Sequence, residues 1–167
     1  MVVADVDETP IEGERPADLV ERLALAKAHA VGSMVSYRAV VIGADTIVEL
    51  DGHILGKPID AAHAGSMLAD LAGQTHRVLT GIAVVASDPT QGHPTTITTF
   101  VTITEVDVAP LTVGEIDRYI ATGEPLDKAG SYGIQGRAGA FVTAIRGSYH
   151  SVVGLPVAQL ADVLNSM

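Results

Sequence analysis

The chain has no cysteine and no tryptophan, and its aromatic residues are limited to four Tyr and two Phe. Without cysteine, disulfides and thiol catalysis are excluded. With so few aromatics, aliphatic residues and alanine must fill the interior. No apolar run approaches the roughly 18 to 20 residues of a membrane span. The opening Met1-Val2-Val3-Ala4-Asp5 lacks a basic region followed by a long apolar stretch, so no secretory signal is expected and a cytoplasmic protein is the plain reading. Positive charge is also scarce: 10 Lys and Arg stand against 20 Asp and Glu, a formal net charge of −10. A general nucleic-acid binder needs a basic face to displace counterions, so the charge argues against that class. A small phosphate ligand needs only a few local cations and often a divalent metal, for which carboxylates are assets. The sequence has no Gly-x-x-x-x-Gly-Lys-Ser/Thr loop, no Gly-x-Ser-x-Gly elbow and no His-x-x-x-His spacing.

What is present suits one domain over residues 1–167, with 47% hydrophobic residues to build a core. Val2 to Val6 reads as the tail of a strand, and Glu8 to Arg15 as a polar loop. Leu19, Leu23 and Ala26 fall at helical spacing behind Pro16, predicting a helix to Val31. Ala39 to Ile42 is a short apolar strand ending at Gly43. Thr46 to Leu50, the Asp51-Gly52 turn and His53 to Leu55 form a hairpin. Asp60 caps a helix to Ala72, with Gly73 at its end. Strands are expected over Arg77 to Val85 and Thr95 to Val108. The latter changes parity near Thr104, which predicts a bulge. Thr112 and Glu115 fit a capping box for a helix to Ala121. Glu124 to Gly139 is a glycine-rich loop, Phe141 to Ile145 a strand, and Pro156 to Leu164 a last helix. The expected fold is one α/β domain with a mixed, twisted sheet flanked by helices.

Lysine is used sparingly enough to be informative. Only Lys27, Lys57 and Lys128 occur, against seven arginines. Lys57 lies in Gly56-Lys57-Pro58 and Lys128 in Asp127-Lys128-Ala129-Gly130, so two of the three sit in stiff turns as placed cations. Each reads either as a phosphate contact or as an exposed turn lysine, and Lys27 either as a phosphate contact or as a helix-surface residue. Asp45 follows an apolar strand and a glycine. It reads as a strand-end acid that binds metal or activates water, or as a turn former. Thr46 beside it offers a hydroxyl or is simply a strand residue. Gln135, between Gly133 and Gly136, has an amide able to read a base edge or to satisfy backbone groups. Glu8 is a second candidate metal carboxylate, or a solvated loop acid.

In order and spacing, these segments closely resemble the Maf family of nucleoside triphosphate pyrophosphatases. The resemblance rests on Val41-Ile42-Gly43-Ala44-Asp45-Thr46, then Leu55-Gly56-Lys57-Pro58, then Leu71-Ala72-Gly73-Gln74-Thr75-His76-Arg77-Val78 with Thr80-Gly81. It continues in Tyr119-Ile120-Ala121-Thr122-Gly123-Glu124-Pro125-Leu126-Asp127-Lys128-Ala129-Gly130-Ser131-Tyr132-Gly133-Ile134-Gln135-Gly136, and closes on Val152-Val153-Gly154-Leu155-Pro156. It implies an α/β fold with a central cleft and a homodimer. It also implies hydrolysis of the α–β phosphoanhydride of nucleoside triphosphates with a divalent cation, Mg²⁺ or Mn²⁺. By the same resemblance, Asp45 accepts the proton of the attacking water and helps hold the metal, and Glu8 takes the acidic position near the metal. Lys27, Lys57 and Lys128 match basic positions around the phosphates, and Thr46 and Gln135 match positions of base selection. The Asp-Thr and Ile-Gln-Gly forms are similar to the branch that prefers dTTP and UTP.

The family opens with a strand and a Ser-x-Ser-Pro-Arg-Arg-like loop that nothing in this chain resembles. By this resemblance the sequence is expected to begin at about the second strand, either because its start is assigned too late or because the form is truncated. A rival expectation follows: a truncated, catalytically weak nucleotide-binding protein with a regulatory role, such as control of cell division.

Overall fold

The computed structural model describes residues 2–167. Among them, helix α1 covers Pro16–Met34, followed by strands β1 (Ala39–Leu50) and β2 (His53–Leu55) and helix α2 (Ala61–Leu71). Strands β3 (Thr75–Ser87) and β4 (Thr95–Val108) come next, then α3 (Val113–Ile120), β5 (Val142–Arg146), α4 (Tyr149–Val153) and α5 (Val157–Asn165). Short 3-10 turns fill the loop between α3 and β5. The strands form one sheet in the order β2-β1-β3-β4-β5. The α/β architecture expected from the sequence is present. Its sheet is more uniformly antiparallel than the expected mixture of hairpins and crossovers, since β1 with β2 and β4 with β5 both pair antiparallel. Side-chain contacts Thr46–Thr80 and Glu49–Arg77 advance along β1 while receding along β3, which is again the antiparallel sense.

Local signals worked where they were strongest. Asp60 caps α2 by accepting a hydrogen bond from the His63 N–H at 2.7 Å. Thr112 and Glu115 form a reciprocal capping box on α3. The β1–β2 hairpin turns on Asp51 and Gly52, both at positive φ (51° and 86°), as a primed two-residue turn requires.

Residue contacts gather the chain into two compact units. The first comprises the residues up to Thr46, together with Thr80–Thr102 and Gly154–Met167. Here Ala24 and Ala28 of α1 pack on Ala83 and Val85 of β3. Leu160 and Val163 of α5 pack with Ile82, Val84, Ala44 and Phe100. Odd and even residues of β3 thus go to different helices, as strand alternation dictates. Two glycines seat α1: a Cβ on Gly43 would lie 2.1 Å from the Ala24 carbonyl oxygen, and one on Gly81 would lie 2.3 Å from that of Val20.

The second unit comprises Ile47–Leu79 and Ile103–Val153. Its core joins Val48, Leu68, Leu71, Val78, Val106, Ile116, Tyr119 and Tyr132. His76 is also buried there. Its Nε2 meets the Tyr132 hydroxyl at 2.7 Å, its Nδ1 has no hydrogen-bond partner among the described residues, and burial pushes its pKa down to about 4.

Three local expectations are corrected. Residues Val2 to Val6 are not a strand; they are irregular, and Val3 is 88% exposed. Gly43 does not end a strand. β1 runs unbroken through it, because the missing side chain serves the approach of α1 and not a turn. The parity change expected at Thr104 is not seen in the burial: from Thr102 to Val108 the even positions are the buried ones, and the register shift against β5 falls at Asp107/Val108. Pattern reading failed there because Thr102 and Thr104 are buried while Ile97 and Ile103 are exposed. The Thr104 hydroxyl is used locally, accepting from the Ser148 N–H at 3.1 Å.

Candidate active site

Alternation along β1 puts Asp45 on the same strand face as Val41 and Gly43, towards α1. Gly43 lets the helix come close enough for Lys27, one turn beyond Leu23, to reach it. The Lys27 Nζ donates to Asp45 Oδ1 at 2.6 Å and pairs with Glu8 Oε1 at 2.5 Å. The two carboxylates predicted to share a metal therefore converge on one ammonium. Partial burial works against the Lys27 charge, but the hydrogen bonds it donates to Asp45 and Glu8 outweigh it and raise the lysine above its ordinary pKa. Asp45 is an acid of the strand interior, five residues short of the end of β1, and not the strand-end acid expected.

Arg22 was not singled out by sequence. It lies on α1 five residues before Lys27, and its Nε and Nη2 grip Glu14 at 2.6 and 2.8 Å. That pairing raises its pKa, and the charges of Asp7 and Asp45 add to the effect. The available signal was compositional: Arg22 and Lys27 are the one arginine and the one lysine inside α1.

Thr46 points to the opposite face of β1 from Asp45. Its Oγ1 lies 2.9 Å from the Oγ1 of buried Thr80, and a Cβ on Gly154 would come within 3.5 Å of it. Chain neighbours thus occupy different surroundings.

Lys57, Lys128 and Gln135 belong to the second unit. Two loops carry them, and the Gly130 N–H donates to the Gly56 carbonyl at 3.1 Å, tying the Lys128 loop to the Lys57 loop. Gly130 has φ +65°, and a Cβ there would press on Val48 at 2.9 Å, so both conformation and space call for glycine. Lys57 is exposed, while Lys128 pairs with Asp127 at 2.8 Å and lays its stem across Gly133. Gln135 is exposed in the turn before the last 3-10 segment. The structure brings Glu8, Lys27 and Asp45 together, and separately links the loops of Lys57 and Lys128.

Among the described residues, no group of three or more His, Cys, Asp or Glu side chains is placed to hold a metal ion. Glu8 and Asp45 are two hard carboxylates that meet at the Lys27 ammonium and could hold a divalent cation. That matches the way Mg²⁺ is held by one or two carboxylates with water and phosphate completing the shell.

An α/β protein with paired acids on an ammonium and further lysines in stiff, glycine-seated loops has the equipment that phosphate chemistry uses. The chain belongs to the Maf family: residues 1–167 match it as a Maf-like protein. It is 50% identical to a dTTP/UTP pyrophosphatase of Aromatoleum aromaticum, over 98% of this chain and 78% of that protein. It is 49% identical to one of Symbiobacterium thermophilum, covering 98% and 80%, and 52% identical to one of Bacillus cytotoxicus, covering 98% and 82%. Among the described residues, no helix is long and apolar enough to cross a membrane.

Proposed function

We propose that this protein hydrolyses dTTP and UTP to the monophosphate and pyrophosphate, a house-cleaning role in nucleotide metabolism. The carrying observation is the convergence of Asp45 and Glu8 on Lys27 Nζ, at 2.6 and 2.5 Å, in a chain about half identical to proteins named for that activity. In this reading, water attacks the α-phosphorus, the bond to the bridging oxygen breaks, and pyrophosphate leaves. Asp45 takes the proton of the attacking water. Lys27 holds the acid in place, and Lys57 and Lys128 offset phosphate charge. Thr46 and Gln135 select the base. A divalent cation, Mg²⁺ or Mn²⁺, held by Glu8 and Asp45 would supply further neutralisation of the phosphates. The reading includes the cytoplasm as compartment and a homodimer as assembly, the latter checked by sedimentation velocity.

The test is pyrophosphate release from a panel of nucleoside triphosphates with Mg²⁺ or Mn²⁺. Asp45→Asn should lower kcat by at least ~100-fold, the usual range for a lost general base. Full activity in that variant removes Asp45 from the mechanism. UTP binding without release of pyrophosphate from any substrate would instead support the regulatory reading.

A further inference from the structure

One carboxylate in the second unit has no part in the reaction above, yet a loop is wrapped around it. Glu124 accepts the Tyr119 hydroxyl at 3.0 Å on Oε1 and the Arg137 N–H at 3.1 Å on Oε2. The Tyr119 oxygen in turn accepts the Gly133 N–H at 3.3 Å. The Gly136 N–H closes on the Gly133 carbonyl at 2.9 Å, so Ile134 and Gln135 form the corners of the turn. A Cβ on Gly136 would lie 2.0 Å from Glu124 Oε1 and 2.4 Å from Cδ, so the turn lies directly against the carboxylate.

The chemistry is matched. A carboxylate only accepts, and it meets two groups able to donate, one O–H and one N–H. Glycines at 133 and 136 let the backbone approach, but they also leave the turn a wide choice of conformations when nothing holds it. The carboxylate narrows that choice, together with the Tyr119 hydroxyl on the Gly133 N–H and the Lys128 stem against Gly133. Its partners are spread from Tyr119 to Arg137, so it fixes the turn at both ends, with the exposed Gln135 amide between them.

We propose that Glu124 is the positioning residue that fixes the Gln135 turn, and through it the preference for one class of nucleobase. This rests on the reading of Gln135 as a base-selecting residue. The experiment compares Glu124→Ala, Glu124→Gln and Gln135→Ala by kcat and KM for dTTP and UTP against purine triphosphates, with thermal unfolding in parallel. Glu124→Ala should raise KM for the pyrimidine substrates roughly tenfold, as expected for lost charge-assisted hydrogen bonds, with kcat within about threefold. It should lose preference in the same direction as Gln135→Ala. Glu124→Gln keeps one acceptor and should fall between, and it decides the matter alone if the alanine variant does not fold. Retained KM and preference in both Glu124 variants, with preference lost in Gln135→Ala, overturns the inference and leaves Glu124 a support of the fold. Unchanged preference in Gln135→Ala overturns the base-selecting role of Gln135, and the inference with it.

Discussion

Asp45 and Glu124 are both carboxylates beside a glycine, and they are held by opposite means. At Asp45 the glycine two residues earlier admits a helix backbone, and the acid is met by an ammonium. At Glu124 the glycine admits the carboxylate itself, and the acid is met by neutral O–H and N–H groups. A carboxylate answered by a cation on a flexible stem can exchange that cation for another or take a proton. A carboxylate answered by a tyrosine hydroxyl and a backbone N–H cannot do so without loosening the turn. The first arrangement suits a reagent and the second a fastener.

The comparison breaks most severely at Gly43. A Cβ there meets backbone, 2.1 Å from the Ala24 oxygen and 2.8 Å from the Ala28 nitrogen, so neither neighbour can swing aside. Gly43→Ala should cost on the order of 3 kcal/mol and lower Tm by roughly 10 °C. A Tm within about 2 °C of the unchanged protein would show that α1 does not rest on that glycine.

The second region should instead be sensitive to acid, through His76 beneath Tyr132. Burial holds its pKa at about 4 against an ordinary 6.5, so the folded chain binds fewer protons than the unfolded one below pH 6.5. Its contribution is complete above that pH and is lost as pH falls towards 4, reaching about 3 kcal/mol. Urea unfolding at pH 7.5 and 4.5 measures the loss. His76→Gln should flatten the difference between the two pH values, and an equal fall in both proteins would place the acid sensitivity elsewhere.

The smallest effect belongs to Glu8. Its side chain is 54% exposed, so the pair with Lys27 is well screened. Glu8→Gln should change stability by no more than about 0.5 kcal/mol. A larger loss would mean that the first cluster is a structural fastener too, and the contrast with Glu124 would fail.

What the sequence revealed followed the range of the interactions. The Asp60 cap, the Thr112–Glu115 box and the Asp51-Gly52 turn were legible because their partners lie within three residues. Gly43 was misread because its reason is contact with Ala24 and Ala28, which no local pattern encodes. The same error placed Asp45 at a strand end. Glu124 passed unnoticed because its partners, Tyr119 and the Arg137 N–H, lie 5 residues before it and 13 after. Lysine scarcity pointed to Lys27, and only the structure shows that it bridges two acids.

One peptide bond separates Asp45 from Thr46, yet the first faces α1 and the second faces Thr80. Residues that must coexist in one motif are therefore free to vary as two independent surfaces. Drift at position 46 alters the Thr80 side of the strand without disturbing the helix that holds the acid. On the proposed roles of Asp45 and Thr46, a lineage can retune what the protein prefers while its chemistry stays fixed.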